Sequence, residues 1–333
     1  MKAFFDIIEN SNSETIDGSI LLNNIIQKKE FAYKELIYND TIASNENYFS
    51  AWIDGGNNEI FGSPAYSVQK IRIFASIWKG NKRFGKVMRE AIVLITANKE
   101  IFVESEDDSM QTFFESAIPV ITATQYYTKE HSLQSFVNMY RRALEVVLAK
   151  ELSEKGFVDE RNNTKSPLNV IVLDGSSMPH NSFEQKVLEP LQNVIGISKT
   201  SNIATKTQSV AHILEKIAQY EMWLCDAFEK NEYKLSFVRL HKKSVSALRI
   251  DYKKTTDLET IGALHILTEL SKDPTFYGYP YPLLIADQEA RVSNEEVSYA
   301  KTKILMKAKE KGLFIEQEHQ RKSTHDILDA IRF

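Results

Sequence analysis

Two short apolar runs that each end in an Asp-Gly dipeptide constrain the fold of this chain more than any other feature. The first is Tyr48–Ile53, followed by Asp54-Gly55-Gly56, and the second is Leu168–Leu173, followed by Asp174-Gly175-Ser176. Runs of this length and composition are typical of buried strands, and Asp-Gly is typical of turns. We therefore predict two buried strands, each ending in an acidic residue at a tight turn.

The segments between these two runs predict how the strands are connected. In Ile71–Trp78 every second residue is aliphatic, a period of two that is typical of a strand. Lys79–Lys82 is typical of a hairpin turn, and Ala91–Ala97 has the residue types of a third strand. Ser132–Lys155 carries one broad apolar face and predicts a long helix. An antiparallel meander followed by a helical crossover would return the second Asp-Gly strand parallel to the first.

The remaining segments extend the same pattern to both ends of the chain. We predict an α/β fold, a mixed sheet of an antiparallel meander plus parallel strands flanked by helices, with helical N- and C-terminal additions. The further elements are an N-terminal helix over Ile20–Ile37, an exposed loop over Gly156–Pro167, strands at Ile195–Ser198, Leu235–Leu240 and Ala247–Tyr252, and helices at Ser209–Phe228, Leu258–Leu270, Leu283–Ala290 and Glu295–Lys311.

Composition bounds the class of protein. The chain has 333 residues, 43% hydrophobic and 26% charged, which suits one large domain with insertions and a sizeable core. No apolar run approaches the roughly 20 residues of a membrane helix, and the N-terminus is too polar for a secretory signal. The single cysteine, Cys225, cannot form an internal disulfide, and no Cys/His cluster indicates zinc. We expect a cytoplasmic protein with no membrane partner; the net charge of −4 argues mildly against nucleic acid.

The two Asp-Gly strands predict a metal site. If the strands are parallel neighbours, Asp54 and Asp174 lie side by side at the sheet edge where open sheets bind ligands. Adjacent carboxylates repel one another unless they share a proton or a cation, and hard divalent ions prefer oxygen ligands. The alternative is that each Asp-Gly is only a turn.

Two further acids are candidates for the same site. Glu145 and Glu151 lie on the crossover helix, with Glu154 a weaker choice. A six-residue strand covers about 20 Å, the length of about 13 helical residues, so a glutamate facing the site should lie well before the last turn. That geometry favours Glu145, although Glu151 points into the middle of the apolar face and Glu145 has the alternative of a surface pair with Arg141. Asp287 lies on a later apolar helix and needs either solvent or a partner.

The order of the acidic residues along the chain resembles that of the RNase H-like fold. It is an Asp on the first strand, a Glu on the crossover helix, an Asp at the end of the next parallel strand and a late Asp on a helix. Five short motifs in the same order resemble the NurA nuclease family over about residues 50–295. They are Asp54-Gly55-Gly56, Leu173–Ser176, Gly196–Thr200, Arg249–Asp251 and Gly278–Leu283 with Ala286-Asp287. The resemblance implies an RNase H-like nuclease domain at 46–295, and the residue patterns outside it predict a helical extension at 1–45 and a helical tail at 296–333.

The resemblance also implies an activity. It implies a DNA nuclease that uses Mn²⁺, with Mg²⁺ as the second choice, and that has 5′→3′ exonuclease and single-strand endonuclease activity on single- and double-stranded DNA. Such enzymes act in DNA end resection, double-strand-break repair and homologous recombination, as homodimers with a hexameric HerA-type ATPase. Asp54, Asp174 and Asp287 would then be catalytic metal ligands, with Glu145 the fourth. Two metal ions would supply the activated water and stabilise the leaving oxygen.

Basic and aromatic residues near these motifs are candidates for contacting DNA. Lys199, His241 and Arg249 are candidate phosphate contacts, and Tyr279, with Tyr277 and Tyr281, has the chemistry to stack on unpaired bases. The alternatives are solvated surface side chains and a rigid Tyr-Pro loop. His180, His212 and His265 are assigned structural roles.

Other functions are compatible with the same sequence. One is a non-catalytic RNase H-like scaffold that binds DNA or an ATPase, and another is an RNase H-like ribonuclease. The chain has no GxxxxGK[ST] motif, so ATP hydrolysis is expected from a partner.

Overall fold

The computed structural model describes residues 19–22, 25–28, 32–37, 48–105, 107–118, 132–159, 164–200, 203–204 and 209–311. Fourteen strands and seven helices lie in this part of the chain. The strands are β1 (Ser19–Leu22), β2 (Ile25–Lys28), β3 (Tyr33–Glu35), β4 (Phe49–Gly62), β5 (Tyr66–Lys79), β6 (Lys82–Thr96), β7 (Ile101–Glu104), β8 (Phe157–Asp159), β9 (Thr164–Ser166), β10 (Val170–Asp174), β11 (Val194–Ser198), β12 (Trp223–Lys230), β13 (Tyr233–Arg239) and β14 (Leu248–Lys253). The helices are α1 (Asp108–Ser116), α2 (Leu133–Lys155), α3 (Ser182–Leu188), α4 (Val210–Ile217), α5 (Ala263–Glu269), α6 (Tyr281–Ala290) and α7 (Asn294–Glu310).

Ten of these strands form one mixed sheet in the order β3-β12-β13-β14-β11-β10-β4-β5-β6-β7. The central strand β10 is parallel to both of its neighbours, β4 and β11, and the other pairs are antiparallel. The predicted meander and the predicted parallel pairing of the two Asp-Gly strands are therefore confirmed.

Helices cover both faces of the sheet, because the central strands bury alternate side chains on opposite sides. Ala51, Ile53, Ile171 and Leu173 pack with α1, α2 and α3. Trp52, on the other face of β4, belongs to a second core that includes α5 and Leu283 of α6. None of the helices in the described ranges is both long and apolar enough to cross a membrane.

Several predicted elements are confirmed with longer or shorter bounds. The hairpin turn between β5 and β6 uses Gly80 with a φ of +54°, a conformation that suits glycine. Helix α2 begins after Ser132, whose side chain accepts a hydrogen bond from the Ser135 backbone N–H. The predicted C-terminal helix is α7, and the rest of the tail, from residue 312, lies outside the described residues.

The helix predicted over Ile20–Ile37 is wrong. β1 and β2 form a hairpin in which Leu22 pairs with Ile25. The two residues between these strands are asparagines, which favour two-residue hairpin turns. β3 adds to the edge of β12, where the Tyr33 ring contacts Trp223 edge-to-face at 5.3 Å. Strand pairing thus overrides a helix-like spacing.

Three other predictions are corrected. The Gly156–Pro167 segment contains the β8–β9 hairpin, because Phe157–Asp159 pairs with Thr164–Ser166. The helix predicted over Ser209–Phe228 ends at Ile217, since the later run from Trp223 is paired with β13 on one side and β3 on the other as β12. The helix predicted over Leu258–Leu270 is limited to α5, which begins after Gly262 in a left-handed conformation.

The turn predicted at Asp54-Gly55-Gly56 is also wrong. β4 continues through these residues to Gly62, because β5 pairs with it along almost its whole length. Its parallel partner β10 contacts it only up to Ile53, which faces Leu173. Asp54 therefore lies inside a strand, at the position where the neighbouring strand stops.

Candidate active site

Four acidic side chains from four elements converge where β10 ends. Asp54 comes from β4, Asp174 is the last residue of β10, and Asp287 lies on α6. One oxygen of each of these three carboxylates lies within 4.8 Å of the others. Glu145 of α2 lines the same cavity of about 600 Å³. We refer to Asp54, Glu145, Asp174 and Asp287 as the acidic cluster.

The position of Asp287 depends on a close approach of α6 to β4. A Cβ atom built on Gly56 would lie 2.2 Å from the backbone oxygen of Ala290. Only glycine lets the end of α6 contact the strand at this point. The Gly-Gly sequence after Asp54 therefore does not form the predicted turn. Instead, Gly56 leaves room for the helix that carries Asp287.

A glycine also shapes the turn that follows Asp174. Gly175 has a φ of +108°, and its N–H donates to the Ile197 carbonyl at 2.7 Å. A Cβ atom on Gly196 would lie 2.1 Å from the Ser177 nitrogen, so the turn packs directly on β11. This packing fixes the backbone next to Asp174.

Repulsion and burial dominate the electrostatics of the acidic cluster. Asp54 is 8% exposed, and burial, followed by the charges of Glu145 and Asp174, raises the pKa of its carboxyl to about 8. The Gly55 N–H, which donates to Asp54 Oδ1 at 2.7 Å, and Arg141 oppose this shift. At neutral pH the carboxyl of Asp54 therefore tends to hold a proton unless a cation lies beside it.

The structure separates the two candidates for the third acid. Glu145 is 3% exposed and accepts hydrogen bonds from Arg141 at 2.8 Å and Arg142 at 3.4 Å inside the cavity. Glu151 lies elsewhere on α2, where it pairs with Arg89 at 3.8 Å and Lys155 at 3.6 Å. The geometry thus places Glu145, and not Glu151, with the aspartates.

Two of the predicted DNA contacts lie beside Asp174. Lys199 Nζ is 2.9 Å from Asp174 Oδ2, and the Tyr279 hydroxyl donates to the same oxygen at 3.2 Å. The lysine also lies over the Tyr279 ring, 4.9 Å from its centroid. Burial and the charge of Asp174 raise the pKa of Tyr279, which keeps its hydroxyl protonated and able to donate.

Arg249 is held in a network behind the site. Its guanidinium contacts Asp251 Oδ2 at 3.0 Å and Ser198 Oγ at 3.1 Å. Asp251 is fully buried and also accepts from Ser176 Oγ at 2.6 Å, which ties it to the turn after Asp174. In this structure Arg249 orients neighbouring side chains; its contact with DNA stays a prediction.

His241 lies in a different aromatic pair. Its ring stacks on Tyr277 with centroids 4.4 Å apart, and Lys243 lies 5.0 Å from the Tyr277 centroid. Tyr281 instead contacts Trp78 edge-to-face at 6.2 Å. None of these residues lines the cavity of the acidic cluster, and their role in DNA binding stays a prediction.

Three basic residues line the cavity although their positions in the sequence do not predict it. Arg141 is predicted only as a surface partner of Glu145, His180 is predicted to be structural, and Arg142 has no predicted role. Burial lowers the pKa of the His180 imidazole, which favours its neutral form. The i,i+4 and i,i+3 spacing of the arginines to Glu145 was the available signal.

The donor set fits a hard divalent cation. Four carboxylates converge in a partly buried cavity, where burial and then the charges of Glu145 and Asp174 raise the pKa of Asp54. Oxygen ligands of this kind suit Mn²⁺ or Mg²⁺. No sulfur or imidazole ligand accompanies the three aspartates in the described group.

Comparisons with known proteins identify the family and the fold. A sequence model of the NurA domain matches residues 51–292. The structure is similar to the NurA nuclease from Sulfolobus solfataricus, with a TM-score of 0.52 and 17% identity over 94% of this chain and 95% of that chain. The catalytic domain of human Endonuclease V matches with a TM-score of 0.40 and 14% identity over 76% and 86% of the two chains. No curated protein sequence matches significantly.

The domain match covers most of the chain. It includes the whole of α2, β10 and α6, which carry three of the four acids, and β4 from Ala51 onward. The RNase H-like fold class predicted from the sequence is confirmed by the likeness to the Sulfolobus structure. The chain therefore belongs to the NurA family of DNA nucleases.

Proposed function

We propose that this chain hydrolyses DNA phosphodiester bonds with divalent metal ions bound by Asp54, Asp174 and Asp287, and with Glu145 as a fourth ligand. The observation that carries the proposal is the convergence of the three aspartate oxygens within 4.8 Å of one another. A structural role alone does not explain why a fold would bring four acids into one cavity, because each additional charge raises the cost of burying the others.

The surrounding residues position the acids. Lys199 and Tyr279 both contact Oδ2 of Asp174, which fixes the orientation of that carboxylate. Arg141 and Arg142 hold Glu145 from one side. Two bound metal ions would supply an activated water and stabilise the charge on the leaving oxygen.

The finer activity rests on family membership. We propose Mn²⁺ as the preferred ion, with Mg²⁺ second, and 5′→3′ exonuclease and single-strand endonuclease activity in end resection and double-strand-break repair by homologous recombination. We also propose a homodimer that works in the cytoplasm with a hexameric HerA-type ATPase. Lys199, His241, Arg249 and Tyr279 remain the proposed DNA contacts.

Labelled single- and double-stranded DNA incubated with Mn²⁺, Mg²⁺ or EDTA tests the proposal. We expect metal-dependent degradation that falls by about 1,000-fold or more in Asp54→Asn and Asp174→Asn, because several kcal/mol of transition-state stabilisation would be lost. A matched control is Asp226→Asn on β12, whose carboxylate accepts hydrogen bonds from Ser236 and Tyr252 and lies outside the cavity. Full activity in EDTA, or in both cluster variants, would contradict the proposed site.

A further inference from the structure

Every acid of the acidic cluster has a basic partner on its solvent side. Arg141 Nη1 lies 2.8 Å from Glu145 and 3.8 Å from Asp54. Lys199 Nζ lies 2.9 Å from Asp174. Arg291 Nη2 lies 2.5 Å from Asp287, one helical turn away at the end of α6. We call Arg141, Lys199 and Arg291 the basic rim.

The side chains of the acidic cluster are all less exposed than those of the basic rim. The acidic side chains are 4–25% exposed, whereas Arg141, Lys199 and Arg291 are 27%, 49% and 72% exposed. The acids therefore lie inside and the bases outside. Arg142, which also contacts Glu145, is only 10% exposed and belongs to the inner packing.

The rim and a divalent cation compete for the same carboxylates. A cation bound among the acids neutralises the charge that now attracts each rim side chain, so those ion pairs weaken. Lys199 and Arg291 are long, exposed side chains that can then bind another anion nearby, whereas Arg141, which also donates to the Gly55 carbonyl, can use the remaining N–H groups of its guanidinium. On a nuclease that anion is a DNA phosphate, for which Arg and Lys are the standard partners.

We propose that Arg141, Lys199 and Arg291 exchange partners during the reaction cycle, leaving their carboxylates when divalent cations bind and then contacting the DNA phosphates that flank the scissile bond. This inference rests on the proposed function, because it uses the same cations and the same substrate. It adds Arg141 and Arg291 to the proposed DNA contacts and makes the contact of Lys199 dependent on the metal ion.

Partner exchange links the two binding events. If cation binding frees the rim for DNA, then DNA binding must favour cation binding by the same factor. The rim also weakens cation binding when DNA is absent, since its charges hold the ligands. A variant that lacks one rim charge should therefore bind Mn²⁺ more tightly alone, but bind DNA less tightly when Mn²⁺ is present.

Arg291→Gln is the sharpest variant because this side chain is the most exposed of the three and its removal leaves the core intact. A fluorescent phosphorothioate single strand serves as a slowly cleaved probe, with anisotropy measured across a salt series in EDTA and in Mn²⁺. In Mn²⁺ we expect the slope of the logarithm of the binding constant against the logarithm of the salt concentration to become shallower by about 0.7, which corresponds to the loss of one phosphate contact. In EDTA we expect no change in this slope. We also expect about fivefold weaker DNA binding in Mn²⁺, and tighter Mn²⁺ binding without DNA by calorimetry.

Arg83→Gln is the matched control. Arg83 pairs at 3.7 Å with Glu289, which lies on α6 like Asp287 but is absent from the acidic cluster. Its removal takes away the same charge next to the same helix and should change neither the metal dependence of the salt slope nor the affinity for Mn²⁺. Arg141→Gln and Lys199→Gln extend the test to the other two rim residues.

Each result decides the inference. A slope reduced only in Mn²⁺ for Arg291→Gln, and not for Arg83→Gln, supports the exchange. An unchanged slope, or one reduced equally in EDTA and Mn²⁺, overturns it, because the residue then makes no contact or a permanent one. If the wild type degrades DNA while the slopes overturn the exchange, the proposed function stands without this inference. If the wild type fails to degrade DNA with any divalent ion, the proposed function itself fails.

Discussion

Two charged clusters lie close together in this molecule and are built on opposite principles. In the acidic cluster four carboxylates share a cavity, and the pKa of Asp54 is raised to about 8. In a second cluster, Lys70 and Arg72 of β5 meet Glu90 of β6 and Glu296 of α7 in equal numbers. There the contacts with Arg72 help to lower the pKa of Glu296 to about 2.

The difference separates the proposed cation site from a cluster in which the charges stabilise one another. In the second cluster, which we call the balanced cluster, every charge has an internal partner, and Arg72 also donates to the Arg291 carbonyl at 2.8 Å, where α6 ends. In the acidic cluster each carboxylate also contacts a base, but Asp54 is buried among other acids and its pKa stays raised, chiefly by burial. Removing a carboxylate should therefore have opposite effects on stability in the two clusters, and large effects on activity in only one.

The largest difference between two residues of one helix is expected for Glu145 and Glu151 of α2. Glu145→Gln should lower activity about 10- to 100-fold, because it removes a charged oxygen from the cavity. Glu151→Gln should stay within about twofold of the wild type, since Glu151 pairs with Arg89 and Lys155 away from the cavity. Initial rates in Mn²⁺ measure both variants. Equal losses in the two would remove the distinction between them.

The next effect is a gain in stability. A carboxyl whose pKa is raised from 3.8 to about 8 binds more protons in the folded than in the unfolded state between those values, so its contribution to stability falls as the pH rises through that window. Asparagine cannot ionise. Asp54→Asn should therefore raise the melting temperature of the metal-free protein by a few degrees at pH 8, and by less at pH 5.

Thermal unfolding in EDTA at the two pH values measures this effect. Added Mn²⁺ should reverse it, because only the wild-type carboxylate gains from the cation. A variant that melts below the wild type at pH 8 without metal would show that repulsion in the acidic cluster is unimportant.

The smallest effect is expected in the balanced cluster. The pKa of Glu296 is lowered from 4.5 to about 2, so its ion pairs contribute fully above pH 4.5 and are lost as the pH falls towards 2. Glu296→Gln should destabilise the protein at pH 7 by no more than about 1 kcal/mol, since the side chain is 34% exposed. Glutamine can still accept the hydrogen bond from the Ser293 N–H at the start of α7, so the substitution removes the charge and keeps this hydrogen bond.

Urea unfolding at pH 7 and at pH 3 measures the change. The difference between variant and wild type should shrink at the lower pH, while nuclease activity at pH 7 stays within about twofold. A loss as large as that of Glu145→Gln would make the balanced cluster part of the active site.

Local patterns in the sequence were sufficient for the centre of the fold. The alternation in Ile71–Trp78 and the apolar face of Ser132–Lys155 come from each segment's own burial, so β5 and α2 were predicted closely. The helix predicted over Ser209–Phe228 wrongly includes most of β12. Trp223 and its neighbours are buried there by pairing with β13 and β3, and not on the face of a helix. No local pattern contains those distant partners.

The site divides in the same way. The acids could be predicted because parallel neighbouring strands bring Asp54 and Asp174 to one edge. The sequence could not show which way a flexible side chain points: Arg249 contacts Asp251 behind the site, while Arg141 enters the cavity. Rotamers depend on packing that the spacing of residues does not encode.

Asp54 has no hinge. Its strand continues for eight residues beyond it and is paired with β5 on both sides of it, so its backbone cannot swing without breaking the sheet. Enzymes that switch by moving a loop can withdraw a ligand and restore it. Asp54, the proposed ligand, stays in place here, so control of the proposed reaction is left to components that bind and dissociate: the metal ions, the DNA and any protein that delivers it.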